Sequence, residues 1–213
     1  MTLILNDYVI NASTMLIKPL IISKYDCHSI VLDSEGSQEI ALNPVKLISD
    51  GCKFFGSSLE GRKTATKHLI GFTHKAPIMI DSLSYIFTFP TTSPKRKNDC
   101  IWVFPQHLSR YHKAPHSRTH LIFHNGFEIT LDISFDSFSN QLARTSLLHM
   151  KLLGNFDKAK RKNLYLTGNT PPSLRAAEST PHYNYDQNNN IPMNHSLLNR
   201  TRDDTFTDDT PKL

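Results

Sequence analysis

Short apolar runs separated by turn-forming residues dominate the first 133 residues of the chain. From about Tyr8 to Asp50, runs rich in Ile, Val and Leu are broken at short intervals by Pro, Gly, Ser and Asp, which is typical of strands and turns. We predict strands in three of these runs, TMLIKPLII, CHSIVLD and EIALNPVKLI. The same pattern continues from Gly51 to about Ile133 in the runs CKFF, PIMID, YIFTFP and CIWVFP.

The clearest strand pair is a hairpin near residue 125. The runs HLIF and FEITLDI are joined through His124, Asn125 and Gly126. Asn-Gly tolerates the positive φ angles of a type I′ turn, which connects antiparallel strands. The sequence therefore predicts an antiparallel hairpin that turns at these residues.

One segment has the apolar spacing of an amphipathic helix. It reads DSFSNQLARTSLLHMKLLGN, with Asp136 or Ser137 as a cap and Gly154-Asn155 at its end. We predict a helix over about 136–153. Its apolar residues at near-helical spacing are Phe138, Leu142, Leu147, Leu148, Leu152 and Leu153.

The C-terminal part of the chain differs in composition from the rest. After the basic stretch DKAKRKNLYL, residues from Thr167 onward are dense in Asn, Thr, Pro, Ser and Asp and show no periodicity. Such a composition buries too little apolar surface to order the backbone. We therefore predict an α+β fold of mainly antiparallel strands, with one domain over residues 1–160 and a disordered polar tail over 161–213.

The charge of the chain is unevenly distributed. Residues 1–170 carry 20 basic and 13 acidic side chains, and residues 171–213 carry 4 and 6. A basic body with a mildly acidic tail favours a polyanion as partner, although many enzymes are equally basic.

The compartment is predicted from the cysteines and from the hydropathy. Three widely spread cysteines fit buried thiols in a reducing compartment better than disulfides. The opening MTLILNDYVI lacks a basic n-region, and no stretch approaches the roughly 20 apolar residues of a membrane span. We expect a cytoplasmic protein with neither a signal peptide nor a membrane partner.

Glycines and cations meet in GSSLEGRKT, which runs from Gly56 to Thr64. A nucleotide-binding loop needs Lys directly after its second glycine, so that the Lys points at the β- and γ-phosphates. Here Arg62 stands in that position and Lys63 is displaced by one residue, which on a helix turns the side chain by about 100°. A nucleotide-dependent enzyme using this loop is therefore an alternative that the spacing disfavours.

Other catalytic or metal chemistry finds little support in the sequence. Pro115 breaks any helix through the regularly spaced histidines, and neither a cysteine pair nor a carboxylate cluster completes a zinc site. Cys52 has no base near it in sequence. We expect no catalytic residue, no metal and no cofactor, hence no enzyme. The histidines concerned are His107, His112, His116, His120 and His124.

The same region is better suited to DNA. Small residues let backbone N–H groups approach phosphates, and cations release counterions. The alternative to DNA binding is that this segment is a solvated turn with ordinary surface charge. The candidate DNA-binding residues are Lys53, Ser57, Ser58, Arg62, Lys63, Lys67, Lys75 and Arg96; further cations follow at Lys95, Lys97, Arg110, Lys113 and Arg118.

About residues 43–153 resemble the ComK-type family of competence transcription factors. The family pattern of a Cys, a basic residue and Phe-Phe-Gly-Ser-Ser is met at Cys52–Ser58. Gly-Arg-Lys and His-Lys-x-Pro-Ile-Met follow at Gly61–Lys63 and His74–Met79. The match continues through IFTFPT, a Cys-x-Trp at Cys100–Trp102, and FDSFSNQLARTSLL at the start of the helix.

The resemblance implies a transcriptional activator of DNA-uptake genes, located at the bacterial nucleoid. Such a protein binds paired A+T-rich promoter boxes as a homo-oligomer (dimer or tetramer), largely through the minor groove, and bends the duplex. RNA polymerase and an adaptor of the Clp protease are its implied partners, with Leu164, Tyr165 and Leu166 as a partial match to the adaptor-binding motif. A general nucleic-acid-binding protein without promoter specificity is the main alternative.

Overall fold

The computed structural model describes residues 4–94 and 99–166, which form ten strands and three helices. The helices are α1 (Pro44–Phe54), α2 (Leu59–Ile70) and α3 (Phe135–Leu166), and a short 3-10 turn spans Pro105–His107. The strands are β1 (Ile4–Leu5), β2 (Thr14–Ile21), β3 (Cys27–Asp33), β4 (Ser37–Ile40), β5 (Ile78–Asp81), β6 (Ile86–Pro90), β7 (Trp102–Val103), β8 (Leu108–Ala114), β9 (Arg118–Phe123) and β10 (Glu128–Leu131).

Seven strands form the larger sheet, in the order β1-β4-β3-β2-β7-β6-β5. All neighbours are antiparallel except β1 and β4, which are parallel. Helix α1 covers this sheet with the side chains of Leu47, Ile48 and Cys52, all at most 1% exposed. The core cluster that these residues share with the strands includes Ile17, Val31, Ile40, Ile80, Ile86, Trp102 and Phe104.

Strands β8, β9 and β10 form a second, three-stranded sheet in the order β10-β9-β8. The predicted hairpin is confirmed: β9 and β10 pair in antiparallel fashion, and Gly126 in their turn has φ +82°. This sheet packs on a second core, which joins it to α3 and to the larger sheet. Buried members of that core are Leu16, Phe89, Val103, Leu121, Phe123, Leu131 and Phe138.

The predicted C-terminal helix is confirmed and is longer than the expected span of 136–153. Helix α3 begins after Ser134, whose Oγ accepts a hydrogen bond from the Ser137 N–H, and it continues to Leu166. The buried Gln141 amide donates to the carbonyl oxygens of Lys75 (2.8 Å) and Pro90 (3.0 Å). One side chain of α3 therefore holds both the loop before β5 and the end of β6.

The strands predicted for CKFF and for the second half of EIALNPVKLI are wrong, because α1 occupies both. Asn43 caps α1 by accepting a hydrogen bond from the Lys46 N–H, and Pro44 follows in the first turn, where its missing N–H costs nothing. Helix α2 was also not predicted; Ser58 caps it, accepting from the Gly61 N–H at 2.9 Å, and Gly71 ends it with φ +78°.

The predicted α+β class with mainly antiparallel strands is confirmed. Helix α3 runs without a break across residue 160, and the polar tail from Thr167 lies outside the described residues. The division into residues 1–160 and 161–213 therefore stays a prediction. Among the helices described, none has the length and apolarity needed to cross a membrane.

Candidate nucleic-acid interface

The glycine-rich segment Gly56–Thr64 forms a turn and the first part of α2. Gly56 has φ +74°, a left-handed conformation that favours glycine. A Cβ atom on Gly61 would lie 3.1 Å from the Oγ of the capping Ser58. Backbone conformation thus accounts for Gly56, and close packing against the helix cap accounts for Gly61. The segment follows a helix, whereas a nucleotide-binding loop follows a buried strand. The arrangement therefore disfavours the nucleotide-dependent alternative.

Arg62 points into the protein. Its Nη2 donates to the carbonyl oxygen of Ile80 on β5 at 3.2 Å, and to that of Phe55 at the end of α1 at 3.4 Å. The guanidinium group thus joins α2 to a strand and to the preceding helix. This geometry favours a structural role for Arg62 over the predicted phosphate contact.

Asp81, at the end of β5, is buried and lies near the Arg62 charge. Burial alone would raise the pKa of its carboxyl group. Hydrogen bonds from Leu83 and Ser84, together with the positive charge of Arg62, outweigh burial and hold this pKa below its ordinary value of 3.8. The ionised carboxylate consequently stabilises the turn that follows β5.

We expect Asp81→Asn to lower the free energy of unfolding at pH 7 by about 1–3 kcal/mol, the range for losing hydrogen bonds to a charged group. A carboxyl group with a depressed pKa in the folded state stabilises the protein above its unfolded pKa, and this contribution is lost as the pH falls. The difference from the unsubstituted protein should shrink below about pH 4. Urea unfolding between pH 3 and pH 7 measures it. As a control, Asn in place of the exposed Asp7 should change the free energy of unfolding at pH 7 by less than about 0.5 kcal/mol.

Three lysines of α1 and α2 lie in ion pairs within their own helices. Lys63 Nζ lies 2.7 Å from Glu60, and Lys46 and Lys53 both approach Asp50, at 2.8 and 3.6 Å. Such exposed pairs contribute little to stability. They do place an acidic group beside each cation, which weakens the attraction of these lysines for a phosphate.

Helices α1 and α2 are joined by the four residues 55–58, a spacing like that of a helix-turn-helix pair. In that motif the N-terminal residues of the second helix contact the bases. Here the first turns of α2 carry the exposed Glu60, the internally bonded Arg62 and the paired Lys63. These turns offer a DNA major groove little positive charge.

Two predicted site residues, Lys67 and Lys75, form none of the ion pairs found among the described residues. Lys67 is exposed near the C-terminus of α2. Lys75 has φ +50° and borders a cavity of about 280 Å³ with His74 and Arg144. The Arg144 guanidinium lies 4.2 Å from the centre of the Phe72 ring. Lys75 and Arg144 thus lie close together, where the loop after α2 meets α3.

For the remaining predicted site residues, the structure shows either a local position in the fold or nothing. Ser58 caps α2 with its hydroxyl group, and Ser57 lies beside it in the turn. Arg96 lies outside the described residues. Leu164 lies in the last turn of α3, whose backbone continues through Tyr165 and Leu166. The DNA-binding and adaptor-binding roles of these residues stay predictions.

Cys52 is a buried thiol of α1. Burial raises its pKa to about 11, although the positive charges of Arg62 and Lys63 act in the opposite direction. Burial likewise raises the pKa of Cys100 to about 11. None of the three cysteines forms a disulfide. At neutral pH these two buried thiols are protonated, which makes them poor nucleophiles.

The hairpin of β8 and β9 brings together cations that the candidate set omitted. Arg110 lies opposite Ile122, and Ala114 lies opposite Arg118. Cross-strand partners share one face of a sheet, so both arginines lie on the face opposite the buried Leu121. The sequence shows both arginines as cations in the acid-free stretch 100–127, but it does not show that they share one face.

The histidines of this region are distributed over the same sheet. His112 lies opposite His120, with ring centres 4.8 Å apart, and His120 contacts Glu128 at 3.0 Å. No group of three or more metal-binding side chains occurs within residues 4–94 and 99–166. Cations without acidic neighbours on exposed elements are typical of proteins that bind polyanions.

Comparison with known proteins identifies the family. The family model for the ComK protein matches residues 5–155. A curated relative from Bacillus subtilis (strain 168), named competence transcription factor, is 33% identical over 153 residues, which is 72% of this chain and 79% of the relative. The chain therefore belongs to the ComK family. No solved structure matches it.

Proposed function

We propose that this protein is a DNA-binding transcription factor that activates competence genes. The observation that carries the proposal is membership in the ComK family, with a curated relative named competence transcription factor. The net positive charge of residues 1–170 supports it, because cations that neutralise phosphates release counterions and so drive DNA binding. This function needs no catalytic group, and its place is the bacterial nucleoid in the cytoplasm.

We further propose binding to paired A+T-rich promoter boxes, mainly through the minor groove. The narrow minor groove of A-tracts concentrates negative potential and attracts inserted Arg side chains. Two features support this groove: the arginines of the β8–β9 hairpin and the low positive charge of the first turns of α2. A homo-oligomer, as a dimer or tetramer, would match the pairing of the boxes.

The test is competition binding of the full chain at a fixed salt concentration. A competence promoter with two A+T-rich boxes should bind at least tenfold more tightly than a duplex of scrambled sequence. Netropsin, which fills the A+T minor groove, should displace the protein. Methylation of major-groove atoms should change the affinity less than threefold.

Two other results would assign a different function. Equal affinity for the promoter and the scrambled duplex would indicate a general nucleic-acid-binding protein. Saturable ATP binding or hydrolysis that is lost in Lys63→Ala would support the nucleotide-dependent enzyme. Sensitivity to major-groove methylation with indifference to netropsin would move the contact to α2.

Two protein partners also belong to the proposal. RNA polymerase is the target of an activator, and an adaptor of the Clp protease would bind near Leu164, Tyr165 and Leu166. Leu164 is half-buried near the C-terminal end of α3, beside a run of cations that includes Lys160, Arg161 and Lys162. A pull-down with the purified adaptor, comparing the full chain with Leu164→Ala, tests the second partner.

A further inference from the structure

We propose that the β8–β9 hairpin is the element that enters the DNA minor groove, with Arg110 and Arg118 contacting the A+T-rich boxes. This inference rests on the proposed function and deepens it, because it assigns the DNA contact to a particular part of the fold. Two-stranded ribbons are an established way for proteins to bind DNA grooves. The hairpin meets the requirements for charge, access and rigidity.

The hairpin combines positive charge with an absence of acidic groups. Residues 100–127 contain no Asp or Glu, and the strands contribute Arg110, Lys113 and Arg118. In the described part of the chain, none of the three belongs to an ion pair. The lysines at 46, 53 and 63 differ in this respect, since each lies beside an acid. Within the described residues, the hairpin cations thus form no ion pair that a DNA phosphate would have to displace.

The two arginines share one face of the ribbon. Lys113 lies on the other face, with its Nζ 5.4 Å from the centre of the Phe135 ring. Arg118 Nε donates to the Pro115 carbonyl oxygen at 3.2 Å; within the described residues, the other guanidinium N–H groups form no hydrogen bond and can donate elsewhere. Guanidinium groups are well suited to the negative potential of a narrow minor groove.

The hairpin is accessible. Strand β8 is at the edge of its sheet, and none of its residues is fully buried. The turn residues Pro115, His116 and Ser117 are all exposed, and the last two have φ +60° and +55°. The ribbon thus ends in a tight turn whose His116 and Ser117 side chains are exposed to solvent.

The base of the hairpin is rigidly held. The Tyr111 ring packs on those of Phe135 and Phe138, with centres 5.4 and 5.2 Å apart. Thr119 Oγ1 is buried and donates to the Ile133 carbonyl oxygen at 2.7 Å. A ribbon anchored in this way loses little conformational freedom on binding, which favours affinity.

One acidic side chain of β10 lies on the same sheet face as the two arginines. Glu128 on β10 pairs with Ile122, near the base of the ribbon, and its carboxylate contacts His120. Because Ile122 also lies opposite Arg110, Glu128 is in the row of Arg110, whereas Arg118 lies next to the turn. The exposed turn end is therefore the part of the ribbon that we expect to approach the DNA.

The experiment compares two double variants of the full chain that lose the same charge. In the hairpin variant Arg110→Ala is combined with Arg118→Ala, and in the control Lys24→Ala is combined with Lys46→Ala, two exposed lysines outside the candidate DNA-binding set. The hairpin variant should bind the A+T-box promoter at least tenfold more weakly, and its dependence of log affinity on log salt should be less steep by about two. The control should bind within about threefold of the unsubstituted chain.

A directed cleavage measurement supports or overturns the inference independently. An iron–EDTA group attached to Ser117→Cys should cut the duplex inside the boxes, with the cuts on the two strands offset in the 3′ direction, as a minor-groove source produces. The unsubstituted chain treated with the same reagent reports any labelling of Cys27, which is half-buried. This variant keeps both arginines, so it remains informative if the double variant fails to fold.

The outcomes separate the two proposals. If the unsubstituted chain does not prefer the A+T boxes, the proposed function fails. If it does prefer them, and the hairpin variant folds and binds as tightly as the control, the assignment to the hairpin is overturned while the function stands. Cuts that lie outside the boxes also overturn the assignment.

Discussion

Replacing Phe138 by Ala is expected to remove about 3–5 kcal/mol from the free energy of unfolding, the usual cost of deleting a buried aromatic side chain. Phe138 is 0% exposed. Its ring contacts Phe89 of the larger sheet at 5.4 Å and Tyr111 of the smaller sheet at 5.2 Å, measured between ring centres. The cavity would therefore open where both sheets meet α3, and neither sheet could close it alone. Urea unfolding followed by the fluorescence of the single tryptophan, Trp102, measures the loss.

Phe54 provides the matched control for this aromatic deletion. Its side chain is 65% exposed on α1. Phe54→Ala should change the free energy of unfolding by less than about 1 kcal/mol, as is usual for surface substitutions. Equal losses in the two variants would contradict the central position of Phe138.

Arg62→Ala is expected to lower the free energy of unfolding by roughly 2–3 kcal/mol, because it removes charged hydrogen bonds to two carbonyl groups. Those carbonyls belong to Ile80 and Phe55, so α2 would lose its attachment both to β5 and to the end of α1. The neighbouring Asp81 would also lose a positive charge that helps to keep it ionised. Chemical unfolding at pH 7 gives the magnitude.

Lys63→Ala is the matched control for the loss of stability expected in Arg62→Ala. Lys63 is next in sequence, but its Nζ contacts only the exposed carboxylate of Glu60 in the ion pairs described. Its loss should cost less than about 1 kcal/mol. An Arg62→Ala protein that is as stable as the unsubstituted chain but binds DNA tenfold more weakly would make Arg62 a DNA contact after all.

Local sequence signals predicted some elements well. Asn125-Gly126 specified the β9–β10 turn, and the apolar spacing around Phe138 specified α3. Both signals act within a few residues, so the sequence carries them openly. Helix α1 also has a local signal, the Asn43-Pro44 cap, but the run EIALNPVKLI that contains it is rich in β-branched and aliphatic residues and therefore predicts a strand.

Helix α2 could not be predicted in this way because distant backbone holds it in place. It buries only Leu59 and Thr66, which gives no apolar stripe. Thr66 Oγ1 donates to the Pro77 carbonyl oxygen at 2.9 Å, and Arg62 donates to that of Ile80. Acceptors 11 and 18 residues away leave no trace in the local pattern.

The residues that contact DNA could not be identified from the sequence for the same reason: the groups that surround each cation in the fold are distant from it in the chain. Sequence spacing grouped Lys53, Arg62 and Lys63 as cations, but it could not show which of them lie beside acids or point inward. It also could not align Arg110 with Arg118 on one face, because that alignment depends on the strand register. Counting charge was therefore sufficient to suggest a polyanion and insufficient to locate the contact.

The order of strands in the larger sheet has a consequence for synthesis on the ribosome. Strand β2 pairs with β3 within a few residues, but its other neighbour is β7, where Ile17 meets Trp102. At elongation rates of roughly 5–20 residues per second, β2 waits about 4–17 seconds for that partner. During this interval its apolar edge is open to strands of other chains. Ribosome-bound chains that end before Trp102 should therefore recruit chaperones more strongly than chains that extend past Leu166.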